Sequence, residues 1–439
     1  MIGGRLLPYF QGETLKARLA RGAAGAFAIN VAGLGLGLLA QLVLARSIGP
    51  QGLGVYAYVM AWVMILTLVA KLGFEQTFLR FVADYKARGE WHLVRAVVRY
   101  AERRIMIAGL AITGLGGAVV IGLGEDVPDA LSRTFLVGLA MVPVLALLQT
   151  RSSVARGLGL IASALLPYAV VRNATVVVVV GLALAWSLAL DPWLAMLPAL
   201  LGAALALTLV TVRIRTVVPR GHVHAPTADV RHAWRDTMLP LLMLAGIQEF
   251  LNQTDVLMLG WLADATSVGI YAVASRIAQA SAFAVAAINV IFAPTISVLY
   301  GRGDTAGLQQ MVTTTAWWNL LSTLAFAVPM FVFAEPLLGV FGAGFTAGEM
   351  ALRTLLIGQV AGAGLGSVMY IMTMTGQERP AVIVLGAALV GNLVLNFALI
   401  PSFGIDGAAW AKASTLIAWK LGMAIVIWQR IKIVPSVLG

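Results

Sequence analysis

The sequence predicts an all-α polytopic membrane protein of about twelve transmembrane helices, built as two related six-helix lobes. Three observations predict it. First, the 439 residues are 60% hydrophobic and only 11% charged, against about 25% charged in soluble domains, and the mean hydropathy is +0.92. Second, runs such as residues 175–189 and 194–212 are apolar without alternation. Barrel strands would alternate, and backbone groups in hydrocarbon must bond within their own segment, so helices remain. Third, the chain repeats itself. Gly54-Val55-Tyr56 after the first apolar run matches Gly269-Ile270-Tyr271 after the seventh, and Ala87-Arg88-Gly89-Glu90 matches Gly301-Arg302-Gly303-Asp304. Asn173 falls opposite Asn392, and Arg156-Gly157 opposite Thr375-Gly376, at a near-constant offset. Six is even, so both halves enter from the same side and are related by an axis along the membrane normal.

A crossing needs about 20 apolar residues. The first six candidates are residues 23–45, 53–75, 104–123, 131–150, 162–188 and 193–213; the second six are 237–262, 268–294, 311–334, 351–375, 381–400 and 407–429. Residues 1–22 read as a cytoplasmic amphipathic lead-in, because the run that follows spans rather than ends at a cleavage site. Residues 23–213 then form an N-lobe, 214–235 a polar cytoplasmic linker holding Pro219, His222, His224 and Pro226, 236–430 a C-lobe, and 431–439 a cytoplasmic tail.

Charge supports this topology. With both termini inside, the inner segments collect Arg5, Lys16, Arg18 and Arg21, then seven bases between Arg80 and Arg104, then Arg151, Arg156 and the linker arginines. The outer ends hold only Arg46, Arg133, Arg353 and Lys412, beside acids such as Glu125, Asp126 and Asp129. The net charge of +11 therefore reads as the positive-inside rule and not as a nucleic-acid surface. The absence of cysteine excludes disulfides, thiolate metal sites and cysteine nucleophiles, and the few histidines argue against a metal cage. No cofactor motif is present. No Gly-x-x-x-x-Gly-Lys-Ser/Thr loop occurs, so ATP is not hydrolysed by that route.

The first hairpin, Val43-Leu44-Ala45-Arg46-Ser47-Ile48-Gly49-Pro50 with Gly54-Val55-Tyr56-Ala57, resembles that of the polysaccharide transporter family. Leu72-Gly73-Phe74, residues 79–83, and Gly391-Asn392-Leu393-Val394-Leu395-Asn396 through Phe403-Gly404-Ile405-Asp406-Gly407 continue the likeness. These Wzx-type flippases belong to the multidrug/oligosaccharidyl-lipid/polysaccharide exporter superfamily. The resemblance implies two pseudo-symmetric six-helix lobes around a central cavity in the inner (cytoplasmic) membrane. It also implies transport of undecaprenyl-diphosphate-linked oligosaccharide for surface polysaccharide synthesis. It leaves room for coupling to H+ or Na+ and for association with polysaccharide assembly proteins. The two extra C-terminal helices usual in relatives of the peptidoglycan-precursor flippase are missing, which weakens a lipid II reading.

Charges at bilayer depth are costly and by default face a cavity or a partner. Arg276 is the sole charge in the eighth span; it either snorkels to the interface or meets a diphosphate, which its planar fork can grip bidentately. Arg172 and Asn173 lie midway along the fifth span, where snorkelling is harder. Lys71 and Glu75 share a face of the second span, as a local ion pair or as part of the cavity wall. Lys412 and Lys420 on the twelfth span are further candidates for a cationic cavity. On the seventh span Gln248, Glu249, Asn252, Gln253 and Asp255 are too polar for lipid. They either bond between helices or supply an ion site through Glu249 or Asp255, with Glu75 as a third carboxylate candidate. Asn392 and Asn396 share a face of the eleventh span, where structural bonding competes with substrate contact. Gly33 and Gly37, and Gly358, Gly362 and Gly366, offer close packing or a bending point.

The leading expectation is thus a lipid-linked oligosaccharide flippase and not an enzyme. An ion-coupled multidrug exporter of the same superfamily is the alternative, favoured by a carboxylate-dominated cavity. A membrane glycosyltransferase or polymerase is disfavoured by the short outer loops.

Overall fold

The computed structural model of the protein describes residues 13–124, 128–219, 221 and 228–439. Residues 1–12, Glu125, Asp126, His222 and His224 lie outside the described residues. Every described element is helical. The N-lobe comprises α1 (Glu13–Lys71), α2 (Phe74–Ala87), α3 (Trp91–Gly122), α4 (Asp129–Gly157), α5 (Ile161–Leu166), α6 (Arg172–Ala185) and α7 (Pro192–Val217). The C-lobe comprises α8 (Ala228–Leu262), α9 (Ala265–Ser281), α10 (Phe283–Gly301), α11 (Thr305–Val332), α12 (Ala334–Gly339), α13 (Glu349–Gly364), α14 (Val368–Met374) and α15 (Glu378–Ile431). Because α7 runs on to Val217 and α8 starts at Ala228, helix reaches into both ends of the 214–235 segment read as linker.

These elements make twelve crossings. Gly25–Lys71 and Glu378–Ile431 are apolar over 47 and 54 residues; straight, they would run about 70 and 80 Å, more than twice the hydrocarbon thickness. Each is therefore two crossings. In α1 the break is Gly49, at φ 67°, followed by Pro50. A left-handed glycine closes one helix, and a proline with its missing N–H opens the next. Gly37 and Lys71 line one cavity, although a straight helix would hold them about 50 Å apart, so the two halves fold back on each other. In α15 the break is Gly404, at φ 55°, and a side chain at Gly407 would overlap the carbonyl of Leu399. Four helices (α3, α4, α7 and α11) cross singly. Helices α5 and α6 join through a π-helical turn, Pro167–Val171, into one crossing. Helices α13 and α14 make another, bent by 42° with the 3-10 turn before α13, and α8 and the pair α9–α10 complete the set.

Short helix α2 departs from the sequence reading. Leu72 and Gly73 both take positive φ, 52° and 79°, ending the second crossing. The chain then resumes as a 14-residue amphipathic helix, because Phe74, Phe78 and Val82 fall one turn apart and are buried. Outward faces stay apolar: Leu115, Ile121 and Ile383 are 71%, 69% and 72% exposed, which water would penalise and lipid does not.

The lobes meet at both ends. At the end carrying the α7–α8 linker, Trp234 is fully buried. It donates to the Tyr85 hydroxyl at 3.0 Å and packs on Tyr100. At the opposite end, which carries the Gly49 and Gly404 turns, Arg46 Nε donates to the Val340 carbonyl at 2.8 Å. The glycine rows mostly pack. A Cβ at Gly358 would come within 2.8 Å of Ala413 Cβ, and one at Gly33 within 2.7 Å of Ala169. Gly366 is instead a bending point, at φ 70° between α13 and α14.

Candidate functional site: a cationic cavity between the lobes

Between the lobes lies a cavity of about 610 Å³, with walls from α1, α6, α8 and α9 and contributions from α4 and α7. A second space of about 460 Å³ adjoins it toward the linker end, reaching Asn30, Arg156 and Ala164, and the two share Arg172, Arg276, Tyr168, Asn173, Gln149 and Glu75.

Arg172 (N-lobe) and Arg276 (C-lobe) face each other across this junction, close enough for their charges to repel. Among the described residues no carboxylate pairs with either. Local structure positions each one. The π turn just before Arg172 takes up an additional residue within the crossing, a distortion concentrated at functional sites. The guanidinium of Arg172 then stacks on the Tyr168 ring, 4.7 Å from its centroid, and its Nη1 is buried without a hydrogen-bond partner. Arg276 lies over Gly37, where a Cβ would come within 2.8 Å of Nη2 and 3.5 Å of Asn173 Nδ2. Gly37 thus leaves the room Arg276 needs. Asn173 is held by the carbonyls of Ala169 (2.9 Å) and Gly33 (3.4 Å).

Lys71 also lines the cavity but is neutralised. Its Nζ donates to Glu75 Oε2 and Gln149 Oε1, both at 2.7 Å, and the other Glu75 oxygen accepts from Arg156 at 3.4 Å. The helix break sets this up: Lys71 ends α1 and Glu75 opens α2, so each charge also meets the favourable end of a helix dipole. Glu249 is on the opposite wall, where Gln253 donates to it at 2.8 Å. Among the described residues no base forms an ion pair with Glu249.

The remaining expected residues gather elsewhere, in the C-lobe. A separate space of about 280 Å³ is lined by Gln248, Asn252, Asn392, Lys412 and Thr415; only Asn252 also reaches the central cavity. Lys412 Nζ pairs with Asp255 at 2.7 Å. Asn392 and Asn396 donate to the other Asp255 oxygen at 3.1 and 3.0 Å. Lys412, expected among the cavity cations, is therefore spent on Asp255, and Asp255, expected as an ion site, already holds a tethered ammonium. Lys420 donates to the Gly362 carbonyl at 2.5 Å and is not part of the central lining.

The walls also contain residues that sequence reasoning passed over: Gln41, Tyr56, Gln149, Arg156, Tyr168 and Ser275. A signal existed for Gln41, which with Asn30 is one of two polar amide side chains in its apolar crossing, and for Tyr56, which belongs to the repeated Gly-Val/Ile-Tyr.

Twelve crossings in two lobes, closed around a polar cavity, define a membrane transporter. The chain belongs to the polysaccharide biosynthesis protein family, whose sequence pattern it matches over residues 19–300. Residues 240–398 also match the MatE family. No curated protein sequence matches. An inward-facing multidrug-resistance MATE transporter of the MOP superfamily has a similar structure, with a TM-score of 0.76 at 16% identity, covering 93% of this chain and 98% of that one. The lipid II flippase MurJ in an inward closed conformation gives 0.70 at 14% identity, covering 91% and 87%. A MOP-superfamily transporter from Pyrococcus furiosus, described as having a binding pocket of reverse polarity, gives 0.67 at 14% identity, covering 94% and 95%. At such identities the likeness concerns the fold.

Proposed function

We propose that this protein flips undecaprenyl-diphosphate-linked oligosaccharide across the inner membrane by alternating access, for surface polysaccharide synthesis. The observation that carries the reading is the pair Arg172 and Arg276. Two guanidiniums from opposite lobes, without acids, form a site for an anion that both can grip through bidentate hydrogen bonds. A diphosphate supplies that charge and those oxygens. Around it Gln41, Gln149, Asn173, Asn252, Gln253 and Gln279 offer donors and acceptors for sugar hydroxyls, with Tyr56 and Tyr168 as amphipathic surfaces. The lipid tail stays in the bilayer beside the lobes. The linker end, with both termini, faces the cytoplasm, as the distribution of basic residues supports. The working division is residues 1–22, an N-lobe at 23–213, a linker at 214–235, a C-lobe at 236–430 and a tail at 431–439. Glu249 is the preferred carboxylate for H+ or Na+ coupling, since Asp255 is engaged by Lys412 and Glu75 by Lys71 and Arg156. Polysaccharide assembly proteins are the natural partners.

Glu249 also favours one second reading, an ion-coupled multidrug exporter. A deletion strain separates the two. The expected result is accumulation of lipid-linked glycan on the cytoplasmic leaflet and loss of surface polysaccharide, reversed by the wild-type gene, with drug susceptibility unchanged. Altered drug susceptibility with normal surface polysaccharide would replace the flippase reading by the exporter.

A further inference from the structure

The duplicated tripeptides carry a feature that the cavity residues do not explain. Gly54 in α1 and Gly269 in α9 are internal equivalents in the two lobes. A Cβ on Gly54 would overlap the carbonyl oxygen of Ala265, four residues before Gly269; a Cβ on Gly269 would overlap the carbonyl oxygen of Pro50, four residues before Gly54. Each hypothetical Cβ would also come within 3.0 and 2.9 Å, respectively, of the other glycine's backbone nitrogen. The contact is thus reciprocal, as expected where two equivalent helices cross on an axis relating the lobes. It is also made of backbone alone. Around it, a Cβ at Gly344 would sit 2.9 Å from the Pro50 ring, Tyr58 lies against Gly260, and Arg46 reaches the Val340 carbonyl. One turn along, Tyr56 and Ala57 line the central cavity.

We propose that Gly54 and Gly269 form the gate that seals the cavity at the end opposite the linker, and that alternating access parts and rejoins this crossing. The chemistry suits a reversible closure. Cα–H···O contacts and backbone packing are individually weak, so the crossing opens without breaking an ion pair. With no side chain at either crossing glycine, the two backbones approach closely enough to exclude water. Packing glycines within a lobe, such as Gly358 against Ala413, have no such need to separate.

The chain has no cysteine, so Ala57→Cys supplies a single probe inside the gate. A membrane-impermeant maleimide, added to the outer face of intact cells, reports access. Gly54→Ala and Gly269→Ala should each raise the labelling rate about tenfold or more, since each added methyl group biases the population away from the closed state. Gly35→Ala, in the preceding crossing and with open space around it, should leave labelling unchanged. Unchanged labelling in both gate variants, present in the membrane at normal levels, would overturn the proposal. Should either variant fail to accumulate, the paired substitutions Pro50→Cys and Gly344→Cys decide. Oxidation should link them across the lobes in membranes, and failure to link in folded protein would equally overturn the gate. Neither readout depends on what the cavity carries.

Discussion

Arg276→Ala should lower the initial rate of glycan export by about thirtyfold or more, because removing one partner of a desolvated charge pair costs about 2–5 kcal/mol. Arg172→Ala should act in the same direction. Arg276→Lys should restore only part of the rate, since an ammonium keeps the charge but loses the planar fork. Stability should move the other way. Without a bound anion, the two guanidiniums repel across the junction, so either alanine variant should melt no lower than wild type in detergent. That split separates a ligand-binding role from a structural one. Normal export by Arg276→Ala would remove the anion site from the mechanism, and a large fall in melting temperature would make Arg276 a packing residue.

Lys412→Met should have the largest effect on stability. Asp255 is only 1% exposed, and its sole ionic partner among the described residues is Lys412. Stripping one member from a buried pair leaves an uncompensated charge, at about 3–5 kcal/mol. Asn392 and Asn396 remain as donors but bring no charge. The double variant Lys412→Met with Asp255→Asn removes the stranded carboxylate and should recover most of the loss, because the two sites share one interaction and are not additive. Comparative thermal unfolding of the three proteins measures this. A Lys412→Met variant as stable as wild type would mean that the pair contributes nothing, and one no less stable than the double variant would mean that the unpaired Asp255 carries no penalty.

The crossings were legible because each is a local property of a contiguous run. The exceptions are local in another way. The break at Leu72–Gly73 puts a left-handed turn on a leucine, a residue type with no special preference for it, so the second crossing read as one helix to Glu75. The α9–α10 break at Ala282 has no Gly or Pro to announce it.

The site was legible in its ingredients but not in its pairings. Arg172, Arg276, Lys71 and Glu249 are conspicuous as charges inside apolar runs, whereas nothing near Lys412 in the sequence says that its partner lies far upstream at Asp255. For the same reason Lys71 looked free beyond Glu75, although Gln149 and Arg156 complete its network from another helix. Charges can be found from spacing and burial cost, but neutralisation depends on tertiary contact.

The π turn at Pro167–Val171 has a consequence for how the gene can change. Elsewhere in a crossing, losing one codon would swing everything downstream by about 100°, because each residue advances an α-helix by that angle. A π turn is an α-helix carrying one surplus residue, with the flanks kept in register. An in-frame deletion of Val170 or Val171 would let the turn relax to ordinary helix, leaving Arg172 aimed at the cavity. The turn is thus where a one-residue loss would leave the arginine presented as before.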